Sequence, residues 1–236
     1  MNLAQAMKQI VPGVQDLKRR SLRQAGGEAT MSPTLIALRE DRVLAVITAP
    51  RLEVVLSCAS TLAIGLAPQM LAVAAQVTLP ERAGSEDLPP QEAGEGIAYT
   101  TFTRDREASL AVQRYQVQDG EVVFTAPERG RPDDRRLMDE LAKAMGHAPL
   151  DPAKVARKDP AGQTAADQAG QAPQAPVSPD FIPAAEGRMA IDAGTIKTTY
   201  ERVKGIGGTA LFVAADGTQA TRMLAAGLPQ ECLLTR

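Results

Sequence analysis

Residues 54–80, VVLSCASTLAIGLAPQMLAVAAQVTLP, form 27 consecutive positions without a charge. A solvated loop cannot be built from such a run, so a membrane or a protein interior has to cover it. Its period changes halfway. Leu52, Val55, Leu56, Ala59, Leu62, Ala63 and Leu66 fall on one helical stripe with Glu53, Ser57 and Ser60 opposite, which predicts a helix over 51–66. Beyond Gly65 and Pro68, Leu71, Val73, Ala75, Val77 and Leu79 alternate with Ala72, Ala74, Gln76 and Thr78, the pattern of a strand covered on both faces. The run is long enough to cross a bilayer, which takes ~20 residues. Pro68, the many Ala, Ser and Thr residues and the switch of period point instead to a helix leading into an inner strand of a sheet.

The flanking segments supply the rest of such a sheet. Thr34–Leu38 and Val43–Thr48 are β-rich runs around the polar turn 39–42. After Pro80 and an acidic stretch, further strands are expected at Ile97–Thr103, Ala108–Val117 and Glu121–Thr125, the last two joined at Asp119-Gly120, a strong hairpin signal. Leu137, Met138, Leu141 and Met145 mark a helix over 132–145 that stops at Gly146. Residues 2–24 read as a helical arm interrupted at Pro12-Gly13. The fold class is α/β of the α+β type, with a mostly antiparallel sheet of about six strands and packed helices over residues 1–147.

Residues 148–183 are rich in Ala, Pro, Gln, Gly and Asp and read as a disordered linker, because they hold too little apolar surface to offset their ordering entropy. Periodicity returns in 184–236: a helix through Ile196, Tyr200 and Val203 ending at Gly205, a strand at Thr209–Ala215, a helix at Thr218–Ala226 and a final strand at Glu231–Thr235. This C-terminal α/β element is too small for an independent core and is expected to pack on the first domain or on a partner.

Composition narrows the chemistry. With one His and two Cys, Cys58 and Cys232, neither a multi-His metal site nor a disulfide framework is expected, and an imidazole mechanism would depend on His147 alone. A formal charge of −2 and 3% aromatic residues argue against a nucleic-acid surface. The N-terminus lacks the pattern of a secretory signal, so a cytoplasmic location is expected. Local charge is uneven: Lys8, Lys18, Arg19, Arg20 and Arg23 stand against Asp16 in the arm, whereas Glu81, Glu86, Asp87, Glu92 and Glu95 stand against Arg82. The two segments could pair within one chain or between copies, although two separate solvated surfaces are the preferred reading.

Three motifs could carry ligands or partners. Lys204-Gly205-Ile206-Gly207-Gly208-Thr209 resembles the Gly-Ile-Gly turn of helix-hairpin-helix modules, and a Gly-rich turn beside a Lys can offer backbone N–H groups to a phosphate. Here, however, a helix precedes the turn and a strand follows, so a Gly-capped helix end is the preferred reading. Asp216-Gly217-Thr218 resembles part of the first motif of haloacid-dehalogenase-type phosphatases, but Ala214 occupies the place of the nucleophilic Asp, which leaves Asp216 as a turn and cap residue. Lys204, Gly205, Gly207, Gly208 and Asp216 are the ligand-binding candidates. Arg129 and Arg131, with Lys18, Arg19, Arg20 and Arg23, are the partner-binding candidates.

The expectation is a non-enzymatic interaction or accessory protein that works through protein partners or self-association, with no cofactor and no metal. The alternatives are a hydrolase built on carboxylates such as Asp105, Asp119 and Glu121, and a nucleic-acid binder using the arm and the Gly205 turn.

Overall fold

The computed structural model describes residues 3–25, 30–40, 42–81, 92–130, 135–146, 193–214, 217–225 and 227–235. All of them belong to one compact unit made of Met1–Pro149 and Ile191–Arg236. The expected linker, His147, Arg131 and Asp216 lie outside the described residues.

The elements are α1 (Leu3–Ala25), β1 (Thr34–Arg39), β2 (Arg42–Thr48), α2 (Leu52–Leu66), β3 (Met70–Leu79), β4 (Gly94–Thr103), β5 (Ala108–Gln118), β6 (Glu121–Phe124), β7 (Glu128–Arg129), α3 (Arg135–Ala144), α4 (Ala193–Lys204), β8 (Thr209–Ala214), α5 (Gly217–Ala225) and β9 (Leu233–Thr235), the last preceded by a 3-10 turn at Gln230–Cys232. The uncharged run is thus α2 followed by β3. Among the described residues no helix is long and apolar enough to cross a membrane.

The strands form one sheet in the order β6-β5-β4-β3-β1-β2-β8-β9, with β7 beside β5, nine in all. Every pairing is antiparallel except β8–β9. The six expected strands of residues 1–147 are present. Two more strands reach the sheet from the C-terminal segment, because β8 pairs with β2 from Ala45↔Phe212 to Thr48↔Thr209. Pro127 separates β6 from β7.

Strand alternation sorts the core into two layers. On one face, Ile36, Leu38, Met70, Ala72, Ala74, Ile97, Tyr99, Tyr115 and Val122 meet Ala6, Ile10, Val14 and Leu22 of α1. On the other, α2 packs against β1, α3 and α4, burying Val55, Cys58, Leu62 and Leu66 beside Leu141, Ile196, Val203 and Phe212. Burying a side chain such as Ile10 or Leu62 contributes roughly 1.5–3 kcal/mol, which is why these stripes, rather than intrinsic propensity, hold the helices.

α1 corrects the expected break at Pro12-Gly13, for it is continuous over 23 residues with Pro12 inside it. Pro12 and Gly13 are exposed, so the carbonyl deprived of a partner by the missing N–H lies on the watered side while Ile10 and Val14 stay anchored in the core. The end of α2 has a tertiary cap. Ala67 turns into the left-handed region (φ 43°), and the Arg39 guanidinium of β1 donates to the carbonyls of Leu66 (3.1 Å) and Ala67 (2.5 Å).

Candidate functional site

The glycine-rich turn after α4 has its N–H groups turned inward. Gly205 N donates to Glu201 O (3.0 Å), Ile206 N to Val203 O (3.3 Å), Gly207 N to Lys204 O (3.1 Å) and Gly208 N to Val203 O (3.0 Å). All four satisfy carbonyls at the C-terminal end of α4, where the helix dipole is negative, so they form no cradle for an anion. The glycines have packing reasons to be there. Gly207 sits at φ +76°, and a Cβ on Gly208 would stand 2.5 Å from the Thr48 carbonyl oxygen of β2 and 2.8 Å from Val203 Cγ1.

Lys204 is turned to a structural partner. Its Nζ donates to Tyr200 Oη (2.8 Å) and to Glu231 Oε1 (2.9 Å), and Tyr200 donates to the same carboxylate oxygen (2.7 Å). These contacts hold the Lys204 ammonium above the ordinary lysine range, the Tyr200 hydrogen bond contributing most. They hold the Glu231 carboxyl below its ordinary range, chiefly through the hydrogen bond from Lys204. The cluster ties the end of α4 to the segment that leads into β9.

The basic residues of α1 divide by face. Lys18 is only 2% exposed, which removes it from any partner surface. Its Nζ donates to Gln76 Oε1 (3.1 Å) and lies 4.6 Å from the centroid of the Tyr115 ring. Burial pushes its ammonium below the ordinary lysine range, and Glu95 partly offsets this. Gln76 Nε2 donates to Glu95 Oε1 (2.9 Å), and Tyr115 donates to Glu95 Oε2 (2.5 Å). The basic arm and the acidic stretch therefore do meet within the chain, at Lys18 and Glu95, with Gln76 between them. Arg19 pairs with Asp16 (2.9 Å) and lies 5.3 Å from the Phe124 ring centroid, whereas Arg20 and Arg23 face solvent, as does Arg129 on β7.

Of the carboxylates of the hydrolase reading, Asp105, in the β4–β5 turn, is kept apart from Asp119, in the β5–β6 turn, and Glu121, which opens β6: they lie at opposite ends of the 11-residue β5, a span of ~35 Å. Cys58 and Cys232 are buried, and burial pushes both thiols up, away from the thiolate form. Among the described residues no group of three or more His, Cys, Asp or Glu side chains could hold a metal ion.

One surface was not foreseen as such. α1 covers the β1, β3, β4, β5 and β6 part of its face of the sheet, and Val46 of β2 packs at the margin of that core. Val46 pairs with Leu211, and Val213, two residues on, pairs with Leu234, so these side chains continue the α1 face onto β8 and β9. Their alternates on β8, Ala210, Phe212 and Ala214, are buried on the opposite face. Leu211 and Val213 are only half-buried, and Leu234 is 45% exposed. The signal was present in Thr209–Ala214, where both alternating sets are apolar although α1 reaches one part of that face only.

No protein-family model matches this chain, and comparison with curated proteins and with solved structures finds no match for either its sequence or its fold.

Proposed function

We propose that this chain is an interaction or accessory protein of the cytoplasm that works through a protein partner or through its own copies, with no catalytic step of its own. The observation that carries this reading is the half-open apolar strip of Leu211, Val213 and Leu234 at the end of the sheet that α1 does not reach. Apolar side chains left in water at a sheet margin gain free energy when a second surface covers them, and their arrangement on adjacent strands makes one contiguous contact.

Size-exclusion chromatography with light scattering over a range of concentrations, together with pull-down by the tagged full chain, tests this. The wild-type chain is expected to self-associate or to retain a partner, and Leu234→Glu to weaken that association at least tenfold, the loss expected for an interface contact worth ~1.4 kcal/mol. The melting curve of the variant should stay near wild type, because Leu234 is already 45% exposed. A strict monomer that retains nothing would sink the proposal.

A further inference from the structure

On the face opposite α1, the helices α2 and α3 pack on β3 and β4 and bury one end of those strands, at Leu71, Val73, Thr100 and Phe102. Further along, the same face stays half open. Ala75, Val77 and Leu79 of β3, Ala98 of β4 and Val112 of β5 are only half-buried, and Val123 of β6 is 50% exposed. Pairing and alternation set these six side chains on one side: Ala75 pairs with Ala98, Ala98 with Val112, and Val123 with Gln116, four residues on from Val112. Leu79 leans across β4 at Gly96, where a Cβ would stand 2.8 Å from its Cδ1, and so joins the β3 side chains to the rest.

The charge around this patch is of one sign. Glu81 follows β3, Glu92 precedes β4, Glu121 opens β6 two residues before Val123, and Glu128 of β7 pairs with Val112. All four are exposed, and none has an ion-pair partner among the described residues. Arg114 also lies on this face, paired with Gly96, and its guanidinium is turned to the main-chain carbonyl of Glu92 (3.0 Å).

We propose that this patch docks a basic amphipathic helix of a partner protein, the apolar stripe of that helix on Val77, Leu79, Ala98, Val112 and Val123 and its Lys or Arg residues toward the four carboxylates. The dimensions fit. Three strand spacings separate β3 from β6, ~14 Å, and four residues separate Ala75 from Leu79, ~13 Å. One helix of ~10–12 Å diameter fills that area with two to three turns. α1 covers the other face of the same strands in this way, through Ala6, Ile10 and Val14. A second copy of this chain fits worse: a footprint of ~200 Å² is far below the ~800 Å² per partner of a stable dimer, and two such patches would set carboxylates against carboxylates. The patch is independent of the strip on β8 and β9, which lies on the other face at the other end of the sheet.

Fluorescence anisotropy with the full chain and three labelled synthetic peptides of about five helical turns tests it. One carries a Leu stripe flanked by Lys, the second the same stripe flanked by Glu, and the third the Leu/Lys composition scrambled. The striped Leu/Lys peptide is expected to bind saturably and about tenfold or more tighter than the other two. Val123→Asp, which adds acidity while removing an apolar contact, is expected to weaken it about fivefold or more, as is Glu121→Gln combined with Glu128→Gln. Leu224→Asp, on α5 beside β8 and β9, adds the same charge elsewhere and should leave the binding unchanged. Absence of saturable binding would overturn the proposal, as would equal binding of the scrambled peptide or wild-type affinity in Val123→Asp, since either means charge attraction alone. A loss seen in Leu234→Glu and not in Val123→Asp would place the peptide on the other strip and overturn it as well. If the melting curve shows that Val123→Asp does not fold, the double Gln variant and the scrambled peptide decide.

Discussion

Gly208→Ala is the substitution on which the reading of the glycine-rich turn depends. The turn follows α4 and delivers the chain into β8, whose first residue, Thr209, pairs with Thr48 of β2. A methyl group on Gly208 would lie 2.5 Å from the Thr48 carbonyl oxygen, 2.8 Å from Val203 Cγ1 and 3.2 Å from the Val203 carbonyl oxygen. Two of these three atoms are backbone, and Val203 is fully buried, so the conflict cannot be relieved by swinging a flexible side chain. Overpacking of this kind costs typically ~1–3 kcal/mol. Separating the turn from β2 also strains the bond from Gly208 N to Val203 O (3.0 Å), a contribution of ~1 kcal/mol. A total of ~2–4 kcal/mol follows, read as a lowered urea midpoint with an unchanged slope in denaturation followed by far-UV circular dichroism. Gly207→Ala is the control. Its φ of +76° is strained for alanine, but nothing lies within 4 Å of the added Cβ, so it should cost only ~1 kcal/mol. If Gly208→Ala stays within ~0.5 kcal/mol of wild type, or costs less than Gly207→Ala, the close approach of turn and strand is not what requires glycine there.

Other outcomes follow from the same contacts. Phe212→Ala empties a site that is 0% exposed between β8 and the helices of its face, and should cost ~3–5 kcal/mol in the same denaturation experiment. Gln113→Leu leaves the Tyr99 hydroxyl (2.8 Å) and the Thr125 carbonyl (2.7 Å) without their partner and should cost ~2–4 kcal/mol, whereas Tyr99→Phe should cost ~1 kcal/mol; equal effects would contradict a shared buried network. Because the folded chain depresses the Glu231 carboxyl, its contribution is present above the ordinary carboxyl range and is lost as the pH falls through the folded value. The raised Lys204 ammonium works in the opposite sense: its contribution is present below the ordinary lysine range and is lost as the pH rises through the folded value. In an NMR titration, Lys204→Met should return the Glu231 carboxyl toward its ordinary range, and a carboxyl that does not move would contradict the assignment of Lys204 as its main partner.

Where the sequence was legible, the signal was local. The change of period at Pro68 separates α2 from β3, and Asp119-Gly120 lies at φ 51° and 81°, the two positive values that a tight hairpin turn demands. Such readings succeed because a helix stripe or a strand alternation is written in neighbouring residues, whichever partner later covers it. β7 escaped the same reading because two residues after a proline carry no period.

The candidate site was less legible, because its meaning lies in what distant segments do to each other. Lys18 reads as one more charge on a basic arm, yet only the tertiary structure sets it beside Gln76, 58 positions away, and out of water. The glycines after α4 read as a possible cradle, yet the end of that helix takes up their N–H groups and β2 comes too close for a side chain at Gly208. Apart from β7 and the break expected in α1 at Pro12-Gly13, the amino-acid sequence by itself determined which of the described segments are helix and which are strand, since period and turn chemistry act over a few residues. That β8 lies against β2, that α1 stops short of β8 and β9, and that an apolar strip is thereby left half open were decided only in three dimensions. Strand pairing and layer coverage are contacts between remote parts of the chain, and no local pattern encodes which of two apolar faces a helix will reach.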